Sequence, residues 1–233
     1  MYIPLSLKEP LKKVLYGDRT FALERNRAMT LRILETVITI LDRHRIRYYL
    51  DFGTLLGAMR DRAFIPWDDD ADITLFDEGD YDKIDRVLEE INAAGFFTWK
   101  TDFRTSIENR KKLMEKDKNI TLFVDKIDFT SPDNPRLAIV ANRHPLIRSL
   151  RGKNNVDIFF KYGYNGSLHW MVKNRLQSIP REILGDELIE IDFYHLKCTI
   201  PKNYDAYLTY IYGDWKTPKK DWQYYENETC KRP

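Results

Sequence analysis

The residues whose types and spacing could do chemistry are acidic. Asp68, Asp70 and Asp72 alternate along a short run, and Asp157 stands in the apolar stretch Asn155-Val156-Asp157-Ile158-Phe159. On an extended strand, side chains alternate between faces, so the three acids share one face while Ala71, Ile73 and Leu75 take the other. Carboxylates about 5 Å apart repel by roughly 3 kcal/mol at an effective dielectric of about 20, so the row needs protons, wide solvation or a cation. A divalent cation answers this most economically, and a solvated acidic face is the bland alternative. Two features favour the cation. Eight acids and no Lys or Arg lie between Asp68 and Asp82, in a chain whose 38 Lys plus Arg nearly balance 36 Asp plus Glu. The run is also tied to a buried sheet by Ile65-Pro66-Trp67 and Ile73. A lone acid on a central strand is costly to bury unless paired or metal-bound, so Asp157 is either a third ligand or a strand-end residue facing water.

Other metal readings fit less well. Asp68, Asp70 and Asp72 mimic the first ligands of a calcium-binding hand, but Ile73 stands where the sharp turn needs Gly, and Gly79 where a bidentate Glu belongs. His44, His144, His169 and His195 are scattered, and Cys198 and Cys230 lack the spacing of a zinc knuckle or redox pair. Upstream, Gly53-Thr54 before a short helix offers backbone N–H groups and a positive helix end suited to a phosphate. Arg60 on that helix could reach a phosphate oxygen or form an ordinary ion pair.

The elements that must hold these residues are read from periodicity. Leu34, Val37, Ile38 and Leu41 mark one face of a helix from Arg25 to His44. Ile46 to Asp51 reads as a strand, followed by a helix Leu55 to Arg60 capped by the Thr54 hydroxyl and ended before Pro66. A strand from Asp68 to Phe76 and a helix from Tyr81 to Ala94, stopped by Gly95, follow. Residues 103–118 are a charged loop or exposed helix. Further strands are expected at Ile120–Phe129, Arg136–Ala141, Val156–Phe160, Ser167–Val172 and Leu188–Ile200, with a last helix at Tyr204–Tyr212. The order is mixed, without the strict alternation of a doubly wound sheet.

Composition sets the bounds. With 233 residues, 43% hydrophobic and 32% charged, the chain reads as an ordinary globular protein, and a net charge of +2 gives no cationic excess for a nucleic-acid partner. No apolar run approaches the roughly 20 residues that span a bilayer. The opening MYIPLSLKEPLKKVLYGD lacks a secretory pattern, which makes a cytoplasmic location the expectation. Leu5, Leu7, Leu11, Val14 and Leu15 among Lys8, Lys12 and Lys13 allow at most peripheral contact at the inner membrane face, with a packed arm as the alternative. The basic stretches Arg110–Lys118 and Arg143–Lys153 could contact anionic substrate groups, or be solvated faces.

The order of Gly-Thr turn, short helix, Asp-x-Asp strand and later strand aspartate resembles the polymerase β-type nucleotidyltransferase superfamily. The stretch Asp51-Phe52-Gly53-Thr54-Leu55-Leu56-Gly57-Ala58-Met59-Arg60, continuing to Ile65-Pro66-Trp67-Asp68-Asp69-Asp70-Ala71-Asp72-Ile73, is similar to the signature of its LicD family, which includes phosphocholine and fukutin-related transferases. Val156-Asp157-Ile158-Phe159, Ile200-Pro201, Tyr207-Leu208 and Tyr212-Gly213-Asp214-Trp215 extend the likeness. The resemblance implies an α+β fold: a nucleotidyltransferase core with a mixed sheet, flanking helices and a C-terminal extension. It would form one domain over 1–233, with 1–24 an N-terminal arm and 161–233 the extension.

The same resemblance implies that Asp70 and Asp72 hold Mg2+ or Mn2+ against a diphosphate, with Asp157 a third ligand or the general base. Gly53, Thr54 and Arg60 would meet phosphate or nucleotide. Asp51, Trp67, Asp68, Asp69, Tyr212, Gly213 and Asp214 would form a supporting or substrate shell. The implied reaction is in-line transfer of a phospho-alcohol, such as phosphocholine, from a CDP-linked donor to a sugar hydroxyl of a cell-surface glycan or glycolipid (lipopolysaccharide, capsule or teichoic acid), releasing CMP. Competing readings are a metal-dependent glycosyltransferase, disfavoured because only about 65 residues precede Asp68, and an inactive nucleotide-binding relative.

Overall fold

A computed structural model describes residues 17–102, 134–172 and 175–220. The expected strand at 120–129, the charged segment 103–118, the Leu/Lys-rich residues before Gly17, and Cys230 lie outside them. The elements run α1 (Glu24–Arg43), β1 (Tyr48–Leu50), α2 (Phe52–Arg60), β2 (Ala71–Leu75), a 3-10 turn (Glu78–Lys83), α3 (Ile84–Ala93), β3 (Phe97–Asp102), β4 (Pro135–Arg143) and β5 (Arg151–Phe159). They continue as β6 (Tyr162–Tyr164), β7 (Ser167–Val172), β8 (Arg175–Pro180), α4 (Arg181–Leu184), β9 (Leu188–Phe193), β10 (Leu196–Pro201) and α5 (Tyr204–Tyr212). The fold is α+β.

The first half makes a mixed five-stranded sheet in the order β1-β2-β5-β4-β3, in which only β2 and β5 are parallel. Ala71, Ile73 and Leu75 of β2 are buried to within 1% exposure, as the alternation requires. α1 lays Leu34, Val37, Ile38 and Leu41 on β4 and β5 and meets α3, whose Ile84, Val87, Leu88 and Ile91 are buried. Gly95 ends that helix with φ +99°, a conformation glycine adopts without a Cβ penalty. The second half adds a three-stranded sheet, β6-β7-β8, and a hairpin, β9-β10, which packs beside the edge strand β1. There the Thr199 hydroxyl donates to the Tyr48 carbonyl.

Several expected boundaries move. The Asp-bearing strand starts at Ala71, leaving Asp68 and Asp70 on the approach to it, because residues 66–68 pair instead with the chain ahead of α1: Phe21 N–H donates to the Asp68 carbonyl (2.8 Å) and Ala22 N–H to the Pro66 carbonyl (2.7 Å). The helix expected from Tyr81 begins as a 3-10 turn, since Tyr81 is drawn inward to accept from Lys161 N–H (3.0 Å) and donate to its carbonyl (2.6 Å). The strand expected over 188–200 is a hairpin turned at Tyr194, whose φ is +57°. Strands β3, β6 and β8 and the single turn α4 were not anticipated; Gly163 and Gly166 mask the alternation in β6 and its turn.

Thr54 does not cap α2. The helix begins at Phe52, and Asp51 is the capping residue, its carboxylate accepting from Phe52 N–H (2.8 Å). Phe52 takes a left-handed φ of +43°, rare for a bulky residue and costly unless its surroundings enforce it. They do so through a buried network. Asp51, wholly buried, also accepts from Thr74 Oγ1 (2.5 Å), Lys161 Nζ (2.6 Å) and Tyr207 Oη (2.6 Å), while Lys161 Nζ donates to Tyr207 Oη (2.5 Å). The Lys161 ammonium sits 4.4–5.4 Å from the ring centres of Tyr49, Phe52, Trp170 and Tyr207. Removing one partner of a buried pair strands the other charge, so Lys161→Met is expected to lower unfolding free energy by about 3–5 kcal/mol in urea titration.

Candidate active site

The parallel pairing of β2 with β5 sets Asp72 directly opposite Asp157. Asp70 joins them from the approach to β2, and one carboxylate oxygen from each of the three lies within 4.8 Å of the others. Asp68, Asp69 and Asp70 make a second group of the same tightness, sharing Asp70. All are half-buried. Burial and mutual repulsion push their titration upward: Asp70 to about 6, Asp157 to about 7, Asp68 to about 8, and Asp72 well above the ordinary carboxylate range. Hard oxygen donors crowded this closely, and reluctant to ionise together, suit a Mg2+ or Mn2+ ion.

Each acid is held by its neighbours. The Thr54 hydroxyl, buried on α2, accepts from Asp72 N–H (2.8 Å), so Thr54 fixes the start of β2. Gly53 lets the Asp68 side chain lie against α2, because a Cβ there would stand 2.3 Å from Asp68 Oδ2. Asn155, two residues before Asp157 on β5, donates its amide to Asp157 Oδ1 (2.6 Å). Its oxygen accepts from Arg19 Nη2 (3.0 Å) and Arg151 Nη2 (2.7 Å), and only one amide orientation satisfies all three bonds. Arg19 also pairs with Asp69 (3.3 Å).

Arg19, Arg151 and Asn155 were not singled out from the sequence. Arg19 is 136 residues from Asn155 and reaches it only because residues 21–22 pair with 66–68; no local pattern announces that. Asn155 carried the one usable signal, a polar residue buried two positions from a buried acid and therefore on the same face of β5. Partners of this kind orient metal ligands, and their loss costs about 10–100-fold in metal affinity. Asn155→Ala is expected to weaken Mn2+ binding by that factor in calorimetric titration, with the melting transition retained.

The other expected residues fall on a neighbouring cavity or behind it. Gly53, Arg60, Trp67, Asp68, Tyr212 and Asp214 line a cavity of about 250 Å3, together with Lys219 and Lys220. Trp67 is 38% exposed there. The Arg60 guanidinium forms an ion pair with Asp61 through two bonds (2.9 and 2.7 Å), so in this structure it makes the ordinary pair. Gly213 ends α5 with φ +70°. The Thr217 hydroxyl donates to Asp214 (2.7 Å) and holds that carboxyl below its usual range. Asp51 sits behind the site as the cap of α2.

Part of the chain matches known proteins. Residues 45–145 match the family model described as LicD/FKTN/FKRP, nucleotidyltransferase domain. Asp70 and Asp72 fall inside the match, and Asp157 lies beyond it. The chain is similar to the lipopolysaccharide cholinephosphotransferase LicD of Haemophilus influenzae, 40% identical over 55 residues, covering 24% of this chain and 21% of that protein. It is also similar to an uncharacterised protein of Rickettsia prowazekii, 28% identical over 95 residues (41% of this chain, 33% of that one). A counterpart from Rickettsia typhi is 29% identical over 79 residues (34% and 25%). These matches span about a fifth to a third of the relatives' own length.

Proposed function

We propose, from the premise that this chain belongs to the LicD family through its residues 45–145, that it is a metal-dependent phosphotransferase. In this reading it moves a phospho-alcohol, such as phosphocholine, from a CDP-linked donor to a sugar hydroxyl of a glycan or glycolipid, with CMP leaving. The observation that carries the reading is the meeting of Asp72 and Asp157, from the parallel strands β2 and β5, with Asp70 on the approach to β2, their oxygens within 4.8 Å.

Asp70 and Asp72 would hold one or two Mg2+ or Mn2+ ions. A cation there neutralises phosphate oxygens and orients the donor diphosphate. Asp157, with a titration raised to about 7 and its Oδ1 fixed by Asn155, is suited to receive the proton of the incoming hydroxyl near neutral pH. Its alternative role is a third ligand. Arg19 and Arg151 stand at the margin of the acids, where they can balance the charge of a bound diphosphate. The cavity lined by Trp67, Tyr212, Lys219 and Lys220 adjoins Asp68 and offers an exposed ring and two cations for the rest of the donor.

The test is CMP release from CDP-choline and other CDP-alcohols, with Mg2+ or Mn2+, in the presence of glycan acceptors. CMP release that EDTA stops supports the reading. Nucleotide binding without release would identify an inactive relative, and turnover of UDP-sugars a glycosyltransferase.

A further inference from the structure

The hairpin joining β4 to β5 carries a surface that the phosphotransfer reading does not use. At its tip Leu146, Ile147 and Leu150 are 87%, 51% and 52% exposed. Isolated apolar residues on a surface are ordinary, but three on a single turn form a patch that calls for a partner. The turn is held by its own bonds. His144 N–H donates to the Leu150 carbonyl (2.8 Å) and Leu150 N–H to that of Ile147 (2.9 Å), while Leu146 and Ile147 N–H both donate to His144 Nδ1 (3.3 and 3.2 Å). Below it the stem is closed, since a Cβ on Gly152 would lie 2.5 Å from the Asn142 amide. The aliphatic side chains are thus displayed on an ordered turn.

The flanks of this tip are cationic. Arg32, Arg143, Arg148 and Lys153 line an adjoining groove of about 620 Å3, and among the described residues no carboxylate pairs with any of the four. Arg143 spends its guanidinium on the carbonyls of Gly95 (3.2 Å) and Arg148 (2.9 Å), neutral acceptors that leave its charge uncompensated. Lys153 Nζ donates to the Asp18 carbonyl (3.4 Å), another neutral acceptor; burial first, then the nearby Arg25, lowers its titration, and the Asp18 carboxylate partly offsets this. Aliphatic groups at the apex and unpaired cations beside them match, in order of depth, the acyl boundary and the phosphate layer of an anionic membrane.

We propose that the β4–β5 tip docks this protein on an anionic phospholipid bilayer. Leu146, Ile147 and Leu150 enter the boundary between headgroups and acyl chains, and Arg143, Arg148 and Lys153 meet lipid phosphates. The placement has a consequence for the acids. Arg151, at the head of β5, bonds to Asn155, which holds Asp157, and a strand rises about 3.3 Å per residue. The near side of the tip, Leu150, therefore lies about 23 Å along the strand direction from Asp157, close enough for a docked protein to meet an acceptor anchored in lipid. That last step rests on the proposed function; the docking does not.

The test is flotation of the full chain with vesicles of phosphatidylcholine alone and with added phosphatidylglycerol, without nucleotide or metal. Binding to the anionic vesicles only is expected, weakened at high salt. The triple variant Leu146→Ser, Ile147→Ser, Leu150→Ser should lower partitioning at least about tenfold, and Arg148→Ser and Lys153→Ser about fivefold each. All substitutions are exposed or peripheral, and circular dichroism checks that the fold is kept. Equal binding to both vesicle types, no binding to anionic vesicles, or undiminished binding by the triple variant overturns the proposal; the last would place the contact elsewhere in the chain. A self-association abolished by the triple variant, without vesicle binding, would assign the face to a second copy and also overturn it. Metal-dependent CMP release with a soluble acceptor stays at the wild-type rate in the triple variant, so failure of docking and failure of the catalytic reading give different results.

Discussion

Asp72→Asn is expected to reduce metal-dependent CMP release more than about a hundredfold, the upper range of loss seen when only a supporting partner of a metal ligand is removed. Asp72 is the most constrained of the acids: its N–H is held by Thr54 Oγ1, its strand register faces it to Asp157, and both other acids of the group lie against it. An Asn keeps the shape and the backbone bond but cannot supply an anionic ligand, and it removes the carboxyl whose titration is raised by burial and by repulsion from Asp70, Asp157 and Asp68. Activity should fall while the melting temperature stays level or rises. A variant with unchanged turnover removes Asp72 from the reaction; one that loses cooperative melting makes it structural. Asp157→Asn separates the two roles for that residue. As a ligand, it should weaken Mn2+ binding in step with the rate. As a base, it should leave Mn2+ binding intact, lower turnover, and abolish the rise in rate as pH passes through about 7.

The second large effect is on stability. Groups whose folded-state titration is raised stabilise the fold below their unfolded value, about 3.9 for Asp, and lose that contribution as pH rises through the folded value. Asp70, Asp157 and Asp68 are raised to about 6, 7 and 8. Between pH 5 and pH 8 the metal-free protein must therefore ionise crowded carboxyls, and its melting temperature is expected to fall by about 5 °C or more. Mg2+ at about a hundredfold excess over its Kd adds about 2.7 kcal/mol at pH 8, which restores roughly 5–10 °C. At pH 5, protons hold the ligands and Mg2+ has little effect. A melting temperature that does not fall between pH 5 and pH 8, or no thermal shift with Mg2+ or Mn2+ at pH 8, removes the acids as a cation site.

Much of the frame was legible because it depends on local periodicity. The faces of α1, the alternation of β2 and the extent of α5 follow from spacing alone. The closeness of Asp157 to Asp72 was legible more indirectly, from the cost of burying one acid among Val156, Ile158 and Phe159. What escaped were arrangements made by distant chain. Asp51 rather than Thr54 caps α2 because Lys161 and Tyr207, contributed by the second half, make a buried carboxylate tolerable at that position. Arg19 reaches the acids through backbone pairing that has no sequence signature. The hairpin β9-β10 read as one strand because its turn residue, Tyr194, is aromatic instead of one of the usual turn formers.

The ion pair between Asp51 and Lys161 decides where this protein can be cut. Residues 45–145, the stretch shared with relatives, contain the carboxylate but neither the ammonium nor the Tyr207 hydroxyl that make its burial possible. A fragment trimmed to the shared stretch would have to flood its own interior with water or unwind α2, and a chimera that grafts this signature onto another scaffold inherits the same debt. Recombination boundaries that work should fall beyond α5, and libraries built from this fold should treat positions 51, 161 and 207 as one inseparable unit.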